Sequence, residues 1–223
     1  SGPDDVAYDS VRLLQHTERF RMFLMGHDVD IVPVTVQLWP SLSCNARCPT
    51  CAFRLSDPTG DHPGGLQLMD LELFRHLLAS VQKAGARSIV FPGGGEPLLH
   101  PEISTIAEEV GRSSLRWGMF TNGSLLTPPL AEQLLRANPG FLRVSLDAGN
   151  EEAYHINYGL SGKAFEKVKN NISEAGKVAK RIGYHNFGIG FALMPNQKDN
   201  DLHDIRRTII ELLNSSEGGL SYV

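Results

Sequence analysis

The sequence predicts an α/β fold built on parallel strands, and three observations carry that expectation. From Val32 onward short β-like runs alternate with longer helical stretches, the pattern of strands joined by crossover helices. An apolar share of 41% over 223 residues supports a single sizeable core. The polar and glycine-rich motifs fall just after the β-like runs, the edge at which parallel sheets build their sites.

The elements follow in order. Val11, Leu14, Phe20, Phe23 and Leu24 predict a leading helix that stops at Gly26, so residues 1–31 read as a helical lead-in and 32–223 as the core. Strands are expected over residues 34–39, 88–91, 117–120, 142–146 and 188–194, with 220–223 opening a sixth. Helices are expected over 70–84, 101–111, 129–137, 163–181 and 201–213. Asp70 suits an N-cap, and Leu71, Phe74, Leu77, Leu78 and Val81 repeat at helical spacing before Gly85. Pro101 suits a first helical turn, where its missing N–H has no intrahelical partner. Such units make an unfinished barrel or a doubly wound sheet, and a chain stopping inside a strand-like segment reads as a core incomplete at its C-terminal end.

Composition narrows the function. With 21 basic and 25 acidic residues the formal charge is -4, which argues against nucleic acid and anionic membrane as partners. No apolar run approaches the roughly 18 to 20 residues of a membrane span, and no basic segment precedes an apolar one at the N-terminus, so a cytoplasmic protein is expected. All three cysteines lie between Cys44 and Cys51. An odd, clustered set fits a metal centre better than a disulfide framework.

Cys44, Cys48 and Cys51 are spaced C-x3-C-x2-C directly after the first predicted strand. Such a loop can place three sulfurs around one compact inorganic cluster. Because a 4Fe–4S centre ordinarily takes four cysteines, one iron would be left for substrate or cofactor. The competing reading is a structural zinc site completed by a histidine, His62 being the nearest downstream. Next, Gly93, Gly94 and Gly95 precede Glu96 and Pro97 after the second strand, a run that lets a ligand approach the backbone or simply makes a tight turn. Asn122 follows the third strand within Thr-Asn-Gly-Ser. Ser145 and Asp147 end the fourth, and alternation puts both opposite Leu146, facing a polar pocket.

Together these residues resemble the radical S-adenosylmethionine (radical SAM) superfamily. The three cysteines stand as its cluster motif, Gly94 to Pro97 as its GGEP motif and Ser145 as its fourth-strand ribose position, over about residues 34–194. The resemblance implies a partial (β/α)6 barrel cut off at the sixth strand, a 4Fe–4S cluster, and S-adenosylmethionine bound through its amino and carboxylate groups to the open iron. It further implies that Gly94, Gly95 and Glu96 line the methionine amine, that Ser145 bonds the ribose, with Asn122 and Asp147 in the same cofactor site, and that segment 188–193 packs near adenine. The implied activity is reductive cleavage of S-adenosylmethionine to a 5'-deoxyadenosyl radical that abstracts hydrogen from a peptide or small natural product. An external electron donor such as a flavodoxin or ferredoxin goes with it. The alternative is a non-catalytic iron–sulfur or zinc module, which has no use for GGEP or a polar fourth strand.

Two positions depart from the family. Thr50 stands where an aromatic residue usually precedes the third cysteine, with Phe53 as a replacement, and Tyr158-Gly159 stands where many peptide-modifying members carry Arg-Gly. Elsewhere, His100 reads as a capping or surface group, and Lys163, Lys167, Lys169, Lys177 and Lys180 as a solvated helical face. Trp39 and Trp117 read as packing residues, Trp39 near enough to the cysteines to shield a cluster. The Pro- and Gly-rich loop over 56–65 is either a mobile surface connection or a lid that orders over bound cofactor.

Overall fold

The computed structural model describes residues 17–27, 32–55, 67–160, 163–192 and 202–222. The loop over 56–65 and His62 lie outside them. Five parallel strands form one sheet in sequential order: β1 (Thr35–Gln37), β2 (Ser88–Phe91), β3 (Arg116–Thr121), β4 (Phe141–Ser145) and β5 (Phe187–Gly190). Helices alternate with them as the sequence predicts: α1 (Thr17–Leu24), α2 (Ala52–Leu55), α3 (Leu71–Lys83), α4 (Ile103–Gly111), α5 (Pro128–Arg136), α6 (Glu151–Tyr158), α7 (Lys163–Ile182) and α8 (Leu202–Ser215). The architecture is the partial (β/α) barrel that the sequence implies.

Side chains alternate strictly across the sheet. Ile89 and Phe91, Trp117 and Met119, Leu142 and Val144, and Phe187 and Ile189 are essentially fully buried among Ile106, Leu134, Leu135, Val168 and Ile172 of the helices. The opposite face carries Gly118 and Gly188, both buried, with Ser145 and Gly190 half-buried and Arg143 exposed. There small residues make room for large ones: a side chain at Gly118 would meet the Phe141 ring, and one at Gly188 the Tyr222 ring.

Asp70 caps α3 as expected, accepting from the N–H of Glu72 at 2.8 Å and of Leu73 at 3.1 Å. Several boundaries differ. The first strand ends at Gln37 rather than Trp39, because after the Leu38 N–H bonds Val90 the chain meets Pro40, which has no N–H to offer. Pro101 sits in a turn before α4, whose N-cap is Glu102, and Pro128 rather than Pro129 opens α5. Of the expected strand over 220–223, the described residues 220–222 make a single parallel bridge from Tyr222 to Gly188, with Ser221 N–H on Phe187 O at 2.8 Å. Helix α6 was not expected. Its signals were present in Asn150, which accepts from Ala153 N–H at 2.8 Å, in Glu151 and Glu152 of the first turn, and in Gly159, left-handed at φ 63°.

Candidate active site

The sequence motifs converge on the C-terminal edge of the sheet. The segment after β1 carries Cys44, Cys48 and Cys51, none of them disulfide-bonded. It is closed from behind by residues 67–69: Leu42 N–H donates to Gln67 O at 2.9 Å, and Gln67 N–H to Ser43 Oγ at 2.9 Å. Burial pushes the Cys48 thiol up to about 12, Cys44 and Cys51 adding to the shift, and burial likewise raises Cys44. Cys48 thus feels both other sulfurs, and Cys44 feels Cys51. Burial disfavours charge here, and a bound cation would reverse that balance.

Glu96 is the keystone of this edge. Its backbone N–H donates to Ser43 O at 2.8 Å, tying β2 to the cysteine segment. Its buried carboxylate accepts from Thr121 Oγ1 at 2.6 Å, Asn122 N–H at 2.8 Å and Leu98 N–H at 3.0 Å. The carboxylate therefore braces strand ends. Burial raises its pKa, and the three hydrogen bonds hold it back. With the folded value above the unfolded one, this contribution is fully present below the ordinary carboxylate range and lost as pH rises through the folded pKa. Denaturant unfolding across that window should show wild-type stability falling with pH and a flatter curve for Glu96→Gln. Parallel curves would remove Glu96 as the cause.

Asn122 joins the same edge through a closed ring. Its Nδ2 donates to Asn45 Oδ1 at 2.8 Å, Asn45 Nδ2 donates to Ser124 Oγ at 2.8 Å, and Ser124 Oγ donates to Asn122 Oδ1 at 2.6 Å. Asn45 lies between Cys44 and Cys48, so the ring fixes the cysteine segment to the end of β3. Asn122 lies where it lowers the pKa of Cys44, against the larger rise from burial. Asn45 and Ser124 were not singled out from sequence.

Ser145 and Asp147 do face one cleft of about 400 Å³, with Arg143, Gly190, Phe191 and Tyr222. Asp147 stands in the left-handed region at φ 45°, which aspartate tolerates better than most residues. Its Oδ1 accepts from Ala192 N–H at 2.5 Å, and Oδ2 lies 2.8 Å from the Tyr158 hydroxyl, which is also 2.7 Å from Ser145 O. Tyr158, at the place of the family's arginine, is buried and braces the end of β4. Arg143 lies 4.3 Å over the Phe120 ring, a cation held at the cleft wall.

Two readings change with the geometry. His100 does cap, its Nδ1 accepting from Glu102 N–H at 3.1 Å, but it is buried rather than on the surface, its Nε2 2.7 Å from Met69 O. Lys169 is not part of a solvated face: it pairs with Glu166 at 2.9 Å and Glu211 at 3.1 Å, its side chain 11% exposed. Trp117 is a packing residue as expected, its Nε1 donating to Ala137 O at 3.0 Å.

A family model described as the Radical SAM superfamily matches residues 40–209, the stretch that holds all of these motifs. The chain belongs to the radical SAM superfamily. Members of this family are enzymes that use a 4Fe–4S cluster and S-adenosylmethionine. The chain is 26% identical over 174 residues to the tungsten-containing aldehyde ferredoxin oxidoreductase cofactor-modifying protein of Pyrococcus furiosus, covering 76% of this chain and 46% of that protein. It is 34% identical over 127 residues to the AdoMet-dependent heme synthase of Methanosarcina barkeri, covering 56% of this chain and 34% of that one. It therefore spans less than half the length of these curated relatives. In fold it is similar to native anSMEcpe with bound AdoMet, with a TM-score of 0.61, 22% identity, and coverage of 80% of this chain and 49% of that one.

The donor types fit the radical SAM cofactors, although among the described residues the three thiols are not gathered into a group that could hold a metal ion. Three thiols share one segment, and the chain has no fourth cysteine. Gly95 sits against the Ser41–Ser43 backbone, and Gly94 lies under Trp39, with Phe53 edge-on to the indole at 6.4 Å. Among the described residues, two buried polar side-chain atoms have no hydrogen-bond partner: Trp39 Nε1 and the Tyr154 hydroxyl. Both belong to this edge, beside Gly94 and on α6 respectively. No helix among the described residues is long and apolar enough to cross a membrane.

Proposed function

We propose that Cys44, Cys48 and Cys51 hold a 4Fe–4S cluster with one iron open to S-adenosylmethionine, and that the protein is a radical-generating enzyme acting on a peptide or small natural product. Held by these three thiolates, such a cluster would supply the electron for reductive cleavage of S-adenosylmethionine to methionine and a 5'-deoxyadenosyl radical. The observation that carries this reading is the joining of the cysteine segment to the ends of β2 and β3 through Glu96 and the Asn45–Ser124–Asn122 ring. An electron-transfer or zinc module needs no such bracing to a polar cleft.

The residues divide the work. Gly94 and Gly95 line the methionine amine with their backbone; their missing side chains leave room for Trp39 and for the Ser41–Ser43 backbone to pack onto the turn, which Glu96 fixes. Ser145 offers its hydroxyl to the ribose from the cleft wall, and Asp147 and Tyr158 hold the strand end that presents it. Asn122, through Asn45, holds the segment that carries Cys44. The remainder of the 400 Å³ cleft, with the Arg143 cation on one wall, receives the substrate. The electron comes from an external donor such as a flavodoxin or ferredoxin.

Anaerobic reconstitution with iron, sulfide and dithionite tests the reading. Methionine and 5'-deoxyadenosine are expected from S-adenosylmethionine, and an intact cluster that yields neither sinks the enzyme reading. Ser145→Ala should keep the cluster and weaken S-adenosylmethionine by about 0.5 to 1.5 kcal/mol, the worth of one polar contact. Unchanged affinity by calorimetry would remove Ser145 from the site.

A further inference from the structure

Arg143 stands in the middle of β4, on the face opposite Leu142 and Val144, and is exposed in the cleft. Other arginines of the chain end on carboxylates, Arg75 on Glu109 and Arg136 on Glu132, each at 2.7 Å. Among the described residues the Arg143 guanidinium makes no ion pair and no hydrogen bond. The acidic residue lining the cleft is Asp147, and its carboxylate is turned to Ala192 N–H and the Tyr158 hydroxyl. All five guanidinium N–H donors therefore face the cleft without a protein acceptor.

The head is nonetheless held in place. In register Arg143 pairs with Phe120 on β3 and with Gly188 on β5. Its Cζ stands 4.3 Å from the centre of the Phe120 ring, and that ring packs on Phe141 at 4.8 Å. On the other side its Cδ and Nε lie 3.2 Å from where a Gly190 Cβ would stand. Gly190 pairs with Ser145, so the head leans one row beyond its own, toward the strand ends where the motifs gather. Any larger residue at Gly190 would crowd it. A fork fixed in this way gives up little freedom when it binds, and a cleft of about 400 Å³ is within the roughly 300–1,000 Å³ of small-ligand sites.

We propose that Arg143 binds an oxyanion of the substrate, a carboxylate or a phosphate, and so selects anionic substrates for the enzyme. The inference rests on the function proposed above and names the substrate class of that same site. A planar guanidinium offers such a group two parallel N–H donors, and in a chain of formal charge -4 a local cation is what draws an anion in. The carboxylate of S-adenosylmethionine is the wrong occupant. The family resemblance puts its methionine end at Gly94 to Glu96 after β2, two strands from β4 and roughly 10 Å across the sheet.

Phenylglyoxal, which modifies accessible guanidinium groups, tests this on the reconstituted wild-type protein, with the modified residues located by peptide mass spectrometry. At fixed ionic strength, replacing chloride by acetate or inorganic phosphate should slow modification of Arg143 about tenfold at saturation. Arg116, exposed on β3, serves as the internal reference and should not respond. Protection by phosphate at the lower concentration supports a phosphate-bearing substrate, and by acetate a carboxylate-bearing one. Equal rates for Arg143 in all three salts overturn the inference. So does an Arg143 inert to the reagent in chloride, because its guanidinium then already has a partner. Arg143→Met, which keeps an unbranched chain against Phe120, should load iron and sulfide and bind S-adenosylmethionine as the wild type does in calorimetry. An affinity about tenfold weaker would hand the guanidinium to that cofactor and overturn the inference. If the wild type takes up no cluster, the enzyme reading falls by itself, and the protection rates still decide whether Arg143 holds an oxyanion.

Discussion

Cys48→Ala is expected to lose the cluster entirely while the barrel stays folded. Three thiolates are the whole cysteine complement of the chain, and two cannot hold a cubane that ordinarily takes four protein ligands. Cys48 is half-buried at the margin of the core, whose strands and helices are closed by apolar side chains such as Phe91, Trp117, Leu142 and Ile172. Removing its sulfur should therefore cost stability on the order of 1 kcal/mol, the centre of the range for single substitutions. Visible absorbance with iron and sulfide analysis reads the first effect, and denaturant unfolding of the cluster-free protein reads the second. A variant with wild-type absorbance and iron would end the ligand assignment, and with it the mechanism built on three cysteines.

Gly95→Ala should be the most damaging change at the site that removes no ligand. A methyl group there would overlap the Ser41 carbonyl and stand 2.6 Å from Leu42 C and Ser43 O, backbone atoms that have no rotamer to escape into. The Ser43 carbonyl is held in place by Glu96 N–H at 2.8 Å and Ser41 Oγ at 3.0 Å, so retreat would break the joint between β2 and the cysteine segment. Overpacking against backbone makes about 3 kcal/mol of destabilisation the expectation, with poor cluster loading because the segment is displaced. Gly93→Ala is the matched control. A side chain at Gly93 meets nothing within 4 Å, and the change should stay within about 0.5 kcal/mol of wild type. Equal unfolding midpoints for the two variants would show that the close approach at Gly95 yields easily.

What the sequence by itself determined is the order of elements and the place of each motif. Strand and helix periods are local, Asp70 caps its own helix through bonds to residues two and three positions on, and three cysteines within one short segment are neighbours in any fold. Even α6, which was missed, had its cap, its acidic first turn and its closing glycine in plain view. The direction of the polar side chains was beyond sequence. Glu96 reaches Thr121 across 25 positions, Asp147 meets Ala192 across 45, and Asn45 meets Ser124 across 79, so each choice of partner depends on which strand ends lie side by side. Alternation placed Ser145 and Asp147 on the right face of the sheet, yet only packing turned the Asp147 carboxylate onto Tyr158 and the Ala192 N–H. Among the described residues the same packing leaves the Tyr154 hydroxyl without a hydrogen-bond partner, since a buried phenol is satisfied or orphaned by atoms that only the assembled core brings near.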